Sequence, residues 1–137
     1  MKHMIAVALV LAATALAVSA QEEEDGLRVG TMAICTGIEN REPVGVSTNF
    51  FEPSQNLFCF TRIEGAPDTL TVTHVWYFED GEVGRKDLAV KSMSWRTWSS
   101  KKMLDKWSGS WRVDVLGPDG EVLRSQEFVY KPVKESE

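Results

Sequence analysis

Any chemistry in this chain must come from a short list of side chains. His74 is the only histidine beyond His3, and it stands in the run His74-Val75-Trp76-Tyr77-Phe78. Ser99 and Ser100 supply hydroxyls further along. A serine nucleophile needs a base, and the base needs an orienting group; no Gly-x-Ser-x-Gly turn presents either serine. Cys35 and Cys59 are the two cysteines. One internal histidine and two cysteines fall short of the usual zinc ligand set. No metal and no cofactor is expected. Glu79, Asp80 and Glu82 crowd one hairpin tip, where solvated charge explains them without paired-carboxylate catalysis. No glycine-rich loop opens a helix to cradle phosphate. The expectation is a non-enzymatic protein.

The remaining candidates are aromatic and basic. All five tryptophans, at 76, 95, 98, 107 and 111, fall within residues 74–115. Trp95 and Trp98 are three apart, so a regular strand puts them on opposite faces. Arg96 shares the face of Trp98, where a guanidinium can lie over an indole. Arg112 would extend that strip. Arg96, Trp98 and Arg112 are therefore the candidate partner-binding residues. Trp95 with Thr97 takes their place if the register slips by one. Trp76 and Trp111 occupy apolar phases of alternating strands and belong to the core. His74 shares the phase of Leu70, Val72, Trp76 and Phe78, which reads as a buried neutral histidine satisfied by hydrogen bonds.

The elements that must hold these residues are strands. Residues 69–78 alternate most clearly, and Asp80-Gly81 signals a hairpin into a strand over 82–91. Further strands are read at 27–35, 57–63, 95–100, 111–115 and 122–130. A connection runs over 39–56, and 101–106 is either a helical turn or a loop. In the first strand Leu27, Val29, Ala33 and Cys35 fall on one face; in the second, Cys59 falls on the Leu57/Ile63 face. About seven short strands without a long helical pattern predict an antiparallel, immunoglobulin-like β-sandwich, with a small β-barrel as the alternative.

Composition sets the compartment and the partner class. Lys2, an apolar run over 5–18 and Val18-Ser19-Ala20 have the form of an export signal over residues 1–20. The run is shorter than the roughly 20 residues of a membrane span. Residues 21–26 read as a flexible acidic N-terminus, 27–130 as one domain and 131–137 as a flexible C-terminal tail. The expected location is periplasmic or secreted. The chain has 15 basic and 20 acidic residues, a formal net charge of −5, so nucleic acid is not an expected partner. In an oxidising compartment Cys35 and Cys59 are expected to pair. The loop so closed would stabilise the fold by about 3.5 kcal/mol on chain-entropy reasoning.

One ordered set of motifs carries a resemblance. His74-x-Trp76-Tyr77, Gly81, Leu88-x-Val90, Arg96-Thr97-Trp98-Ser99-Ser100-Lys101, Gly109-x-Trp111-Arg112-Val113-x-Val115, Gly120 and Phe128 resemble the bacterial family named domain of unknown function 2914. The resemblance runs from about Val29 to Tyr130. It implies an extracytoplasmic or membrane-associated β domain and assigns no catalytic or binding residue. The expectation is an interaction module of the bacterial envelope that docks a protein, or a second copy of itself, through a sheet face or edge. The alternative is a glycan-binding module that uses an exposed Trp98 or Trp95, with a hydrolase a distant third.

Overall fold

A computed structural model describes residues 26–133. Ten strands follow one another: β1 (Arg28–Cys35), β2 (Gly37–Glu39), β3 (Glu42–Val44), β4 (Asn49–Phe50), β5 (Asn56–Glu64), β6 (Leu70–Phe78), β7 (Gly81–Val90), β8 (Ser94–Lys102), β9 (Gly109–Leu116) and β10 (Val122–Tyr130). A single 3-10 turn, Asp105–Trp107, lies before β9. The strands form a three-stranded sheet, β1-β5-β8, and a five-stranded sheet, β4-β10-β9-β6-β7. A separate hairpin pairs β2 with β3. The architecture is an all-β sandwich, and neither large sheet closes into a barrel. The expected export signal and the tail over 21–25 lie outside the described residues.

The core lies between the two sheets. From the small sheet Ile34, Leu57, Cys59 and Ile63 point inward; from the large one come Val72, Trp76, Val113, Val115, Trp111 and Phe128. Trp111 and Phe128 stack with centroids 5.7 Å apart, and Trp76 meets Phe128 edge-on at 6.2 Å. Burial of these large rings supplies most of the apolar area that holds the sheets together. The inward assignment of Trp76 and Trp111 holds, with each 2% exposed.

A bulge in β1 overturns the expected disulfide. Val29 pairs with Ile63, but the next pair is Thr31 with Arg62, so Gly30 is the extra residue. Beyond it the side-chain phase is inverted. Met32 and Ile34, not Ala33 and Cys35, share the inner face with Val29. Ile34 stands opposite Cys59 and Cys35 opposite Phe58, so the two cysteines project from opposite sides of the sheet. Both thiols are free and buried.

The expected loop over 39–56 contains structure of its own. The β2–β3 hairpin lies on the outer side of the small sheet, where Ala33, Cys35 and Phe60 are buried. Its turn residues Asn40 and Arg41 have φ of 51° and 63°, the left-handed geometry of a two-residue hairpin turn. The β6–β7 turn is built alike. Its central residues are Glu79 and Asp80, with φ of 48° and 67°, and Phe78 pairs with Gly81. The turn therefore sits one residue before the expected Asp80-Gly81. The C-terminal stretch is ordered through its start: Lys131 and Val133 donate backbone N–H groups to the carbonyls of Phe50 and Phe51 at 2.9 and 2.8 Å.

Candidate functional site

His74 bridges the two sheets at the centre of the core and is fully buried. Its Nε2 lies 3.1 Å from Thr61 Oγ1, and its Nδ1 lies 2.7 Å from Ser99 Oγ. Two neighbours fix the proton positions. Thr61 donates its hydroxyl hydrogen to the Thr97 carbonyl at 2.9 Å, so it can only accept from His74 Nε2–H. Nδ1 must then accept from Ser99, whose oxygen in turn accepts the Trp76 indole N–H at 3.1 Å. One directed chain results, from Trp76 through Ser99, His74 and Thr61 to the Thr97 carbonyl. Every polar side-chain atom buried in the described residues has a partner, so the chain costs no unpaired donor.

Sequence reasoning left Ser99 and Ser100 equally available to His74; the geometry selects Ser99. The pair lacks the other parts of a nucleophilic site. No carboxylate stands behind the imidazole, since Thr61 occupies that place. The Ser99 oxygen carries an indole donor, and the residue is 6% exposed. Burial lowers the His74 pKa from 6.5 to about 4, which makes it a weak base at neutral pH. The arrangement locks two sheets in register.

Above this chain the edge strands of the two sheets come together. β7 ends the large sheet and β8 ends the small one. The two edges border a groove with a compartment on each side of Trp98. One, of about 460 Å³, is lined by Trp76, Gly84, Arg85, Lys86, Ser99 and Lys101 among others. The second, of about 330 Å³, is lined by Arg41, Ala89, Lys91, Trp95, Arg96 and Thr97. Trp98 lines both.

Pairing register explains the groove's character. Phe60 opposes Trp98 and Arg62 opposes Arg96, so both candidates lie on the outer face of β8, as expected. Trp98 is half-buried there. Its indole stacks on Phe60 with centroids 6.4 Å apart, and the Arg41 guanidinium lies 5.6 Å from its ring centre. Arg41 also sits 5.8 Å from the Trp95 ring and donates to the Arg96 carbonyl at 3.4 Å. Arg96 pairs with Glu42 of the same hairpin. The β2–β3 hairpin therefore clamps the outer edge of β8. Trp95, on the other face, packs against the core.

Arg112 belongs elsewhere. β9 is in the other sheet, and Arg112 pairs with Tyr77 on that sheet's outer face. It does not extend the Arg96/Trp98 strip, because the two strips face away from each other across the core. The guanidinium binds Asp80 Oδ1 at 2.9 Å and Asp114 Oδ1 at 3.0 Å, and it covers the Tyr77 ring at 4.3 Å. It borders a hollow of about 590 Å³ with Asn49, Glu79, Gln126 and Glu127, but its charge is already spent on its own sheet.

Sequence reasoning missed Arg41, Arg85, Lys86 and Lys101. One signal was available. Lys86 falls in the phase of Leu88 and Val90, and in the structure it pairs with His74 on the inner face. Lys101 likewise opposes the buried Leu57. A lysine in the inward phase of a strand marks an edge. The shared edge of two sheets needs the fold, which sequence alone does not supply.

Among known proteins, no curated protein matches the chain. Residues 69–130, which span β6 to β10 and include both edge strands, match the family described as "Protein of unknown function (DUF2914)", the family that the spaced tryptophan, arginine and glycine motifs resemble.

Proposed function

We propose that this protein is a non-enzymatic interaction module of the bacterial cell envelope, which docks a protein partner along the free edges of β7 and β8. The observation that carries this reading is the direction of the β8 backbone. The Arg96 carbonyl faces away from β5, since it accepts from Arg41. Alternate residues of a strand direct their N–H and C=O groups the same way. Trp98 and Ser100 therefore present theirs on the same open edge. Such an edge is a ready template for a partner chain.

Two further features favour docking over the other classes. Trp98 stacks on Phe60 and lies under the Arg41 guanidinium, so part of its indole surface is already taken by contacts within the fold. The Ser99–His74 pair has no carboxylate behind the imidazole, and both residues are buried. The export signal read in the sequence supports placement in the envelope.

Photo-crosslinking tests the reading. A photoreactive residue at Ser100, on the edge, should give a discrete protein adduct in intact envelopes. The same residue at Glu121, on the exposed β9–β10 turn, should not. Equal or absent adducts at both positions would overturn edge docking.

A further inference from the structure

The charge of the β7/β8 groove runs against that of the whole protein. The chain is acidic, with a net charge of −5, yet the two groove compartments are lined by Arg85, Lys86, Lys101, Arg41, Lys91 and Arg96 and by no carboxylate. Arg85 is paired with Glu82 and Arg96 with Glu42. Arg41, Lys86, Lys91 and Lys101 have no carboxylate within ion-pair distance among the described residues. Lys86 and Lys101 approach the groove from opposite walls. Lys101 packs its stem against Gly84 of β7 and holds its Nζ 5.0 Å from the Trp107 ring centre.

We infer that the groove between the free edges of β7 and β8 takes an extended peptide segment of the partner whose side chains are acidic at alternate positions. This deepens the docking reading above and rests on it. Three observations converge. The outward N–H and C=O groups of Trp98 and Ser100 match a peptide backbone. The lysines of both walls match carboxylates set on one face of an extended chain, because side chains alternate along it. Trp98 and the half-buried Phe58 border the same compartment as the lysines, which offers apolar contact between the charges. A glycan offers no backbone of alternating donors and acceptors, so peptide is the occupant that uses all three.

Fluorescence anisotropy with a defined probe tests this. The probe is a labelled peptide of alternating Glu and Thr, as long as β8. It should bind the purified chain, and Lys86→Glu and Lys101→Glu should each weaken it about tenfold or more. Lys131→Glu, the same charge change outside the groove, should leave it within about twofold. Methylating alternate backbone nitrogens of the peptide should also weaken binding, and raising the salt should weaken the charged contacts. Lys86 is exposed, so Lys86→Glu gives an interpretable result even if Lys101→Glu fails to fold. Absence of binding overturns the proposal, as does equal loss in Lys131→Glu. Binding of a uronic-acid oligosaccharide in place of the peptide overturns it too. A Ser100 adduct with a discrete envelope protein, without any affinity for the acidic peptide, would refute the acidic segment and leave edge docking standing.

Discussion

Cys35 and Cys59 lie on neighbouring strands and are both buried, yet they project from opposite faces of the sheet. Cys59 belongs to the core between the sheets. Cys35 lies under the β2–β3 hairpin, with its Sγ 3.7 Å from the Phe58 carbonyl. A disulfide needs Cβ vectors that converge, and the β1 bulge makes these diverge. The two thiols should therefore remain free in protein purified without reductant. Burial raises the pKa of both, so neither is a thiolate at neutral pH and neither should label in the native state. Denaturation without reductant should release two thiols to a colorimetric reagent. Zero thiols in the denatured protein would reinstate the disulfide and require a different β1 register.

His74 predicts how stability depends on pH. Its folded pKa is about 4, lowered from 6.5 by burial. Between these values the unfolded chain binds the extra proton and the folded chain does not. The contribution is complete above about pH 6.5, shrinks as pH falls, and is fully lost near pH 4. The two pKa values make that loss about 3 kcal/mol. Denaturation midpoints from pH 4 to 7 should fall more steeply for the parent than for His74→Gln. Parallel curves would mean that His74 is protonated or hydrated in the folded state.

Much of this was legible in the sequence, for physical reasons that differ by residue. The phase of β6 is carried by an unbroken alternation, which correctly buried Val72, His74 and Trp76. The same rule failed in β1, because a bulge at Gly30 leaves no mark that distinguishes it from any strand glycine. The outward placement of Arg96 and Trp98 followed from local spacing. Separating them from Arg112 required knowing that β8 and β9 enter different sheets, which is a long-range fact. Arg41 was invisible for a similar reason: it meets Trp95 and Trp98 only after a hairpin folds over a strand more than fifty positions away.

The β6–β7 turn predicts a stabilising substitution. Glu79 and Asp80 both hold left-handed φ values, which cost an L side chain roughly 1–2 kcal/mol each. Asp80 is tied to Arg112, whereas Glu79 makes no ion pair among the described residues. Asparagine suits the first position of this turn. Glu79→Asn should raise stability by about 0.5–1 kcal/mol, read as a shift in thermal midpoint. A drop would show that the Glu79 carboxylate, which approaches Gly109, has a partner that offsets the strain.

Ser99 separates a structural role from a nucleophilic one. Ser99→Ala leaves both Trp76 Nε1 and His74 Nδ1 without their buried partner, at about 1–3 kcal/mol for each orphaned group. Thr61→Val removes the acceptor on the other side of the imidazole. If the chain acts as one unit, the double variant should lose less than the sum of the single losses, because each already disables the same hydrogen-bonded path. Chemical denaturation of the parent, both single variants and the double variant measures this coupling.

Trp98 tests the clamp at the docking edge. Trp111→Ala empties a fully packed core position and should cost roughly 3–5 kcal/mol. Trp98 is half-buried, stacked on Phe60 and covered by Arg41, so Trp98→Ala should cost only about 1–2 kcal/mol, the worth of one aromatic pair and one cation–π contact. Arg41→Ala removes the second contact and also frees the Arg96 carbonyl. The two changes should be coupled by about 0.5–1 kcal/mol in a double-mutant cycle. Arg41→Ala should also weaken edge-dependent crosslinking from Ser100, because Arg41 is one of the groove cations with no carboxylate partner among the described residues. Additive losses would show that Arg41 and Trp98 are neighbours without energetic contact. Crosslinking that strengthens in Arg41→Ala would instead show that the guanidinium covers the β8 edge at the Arg96 carbonyl.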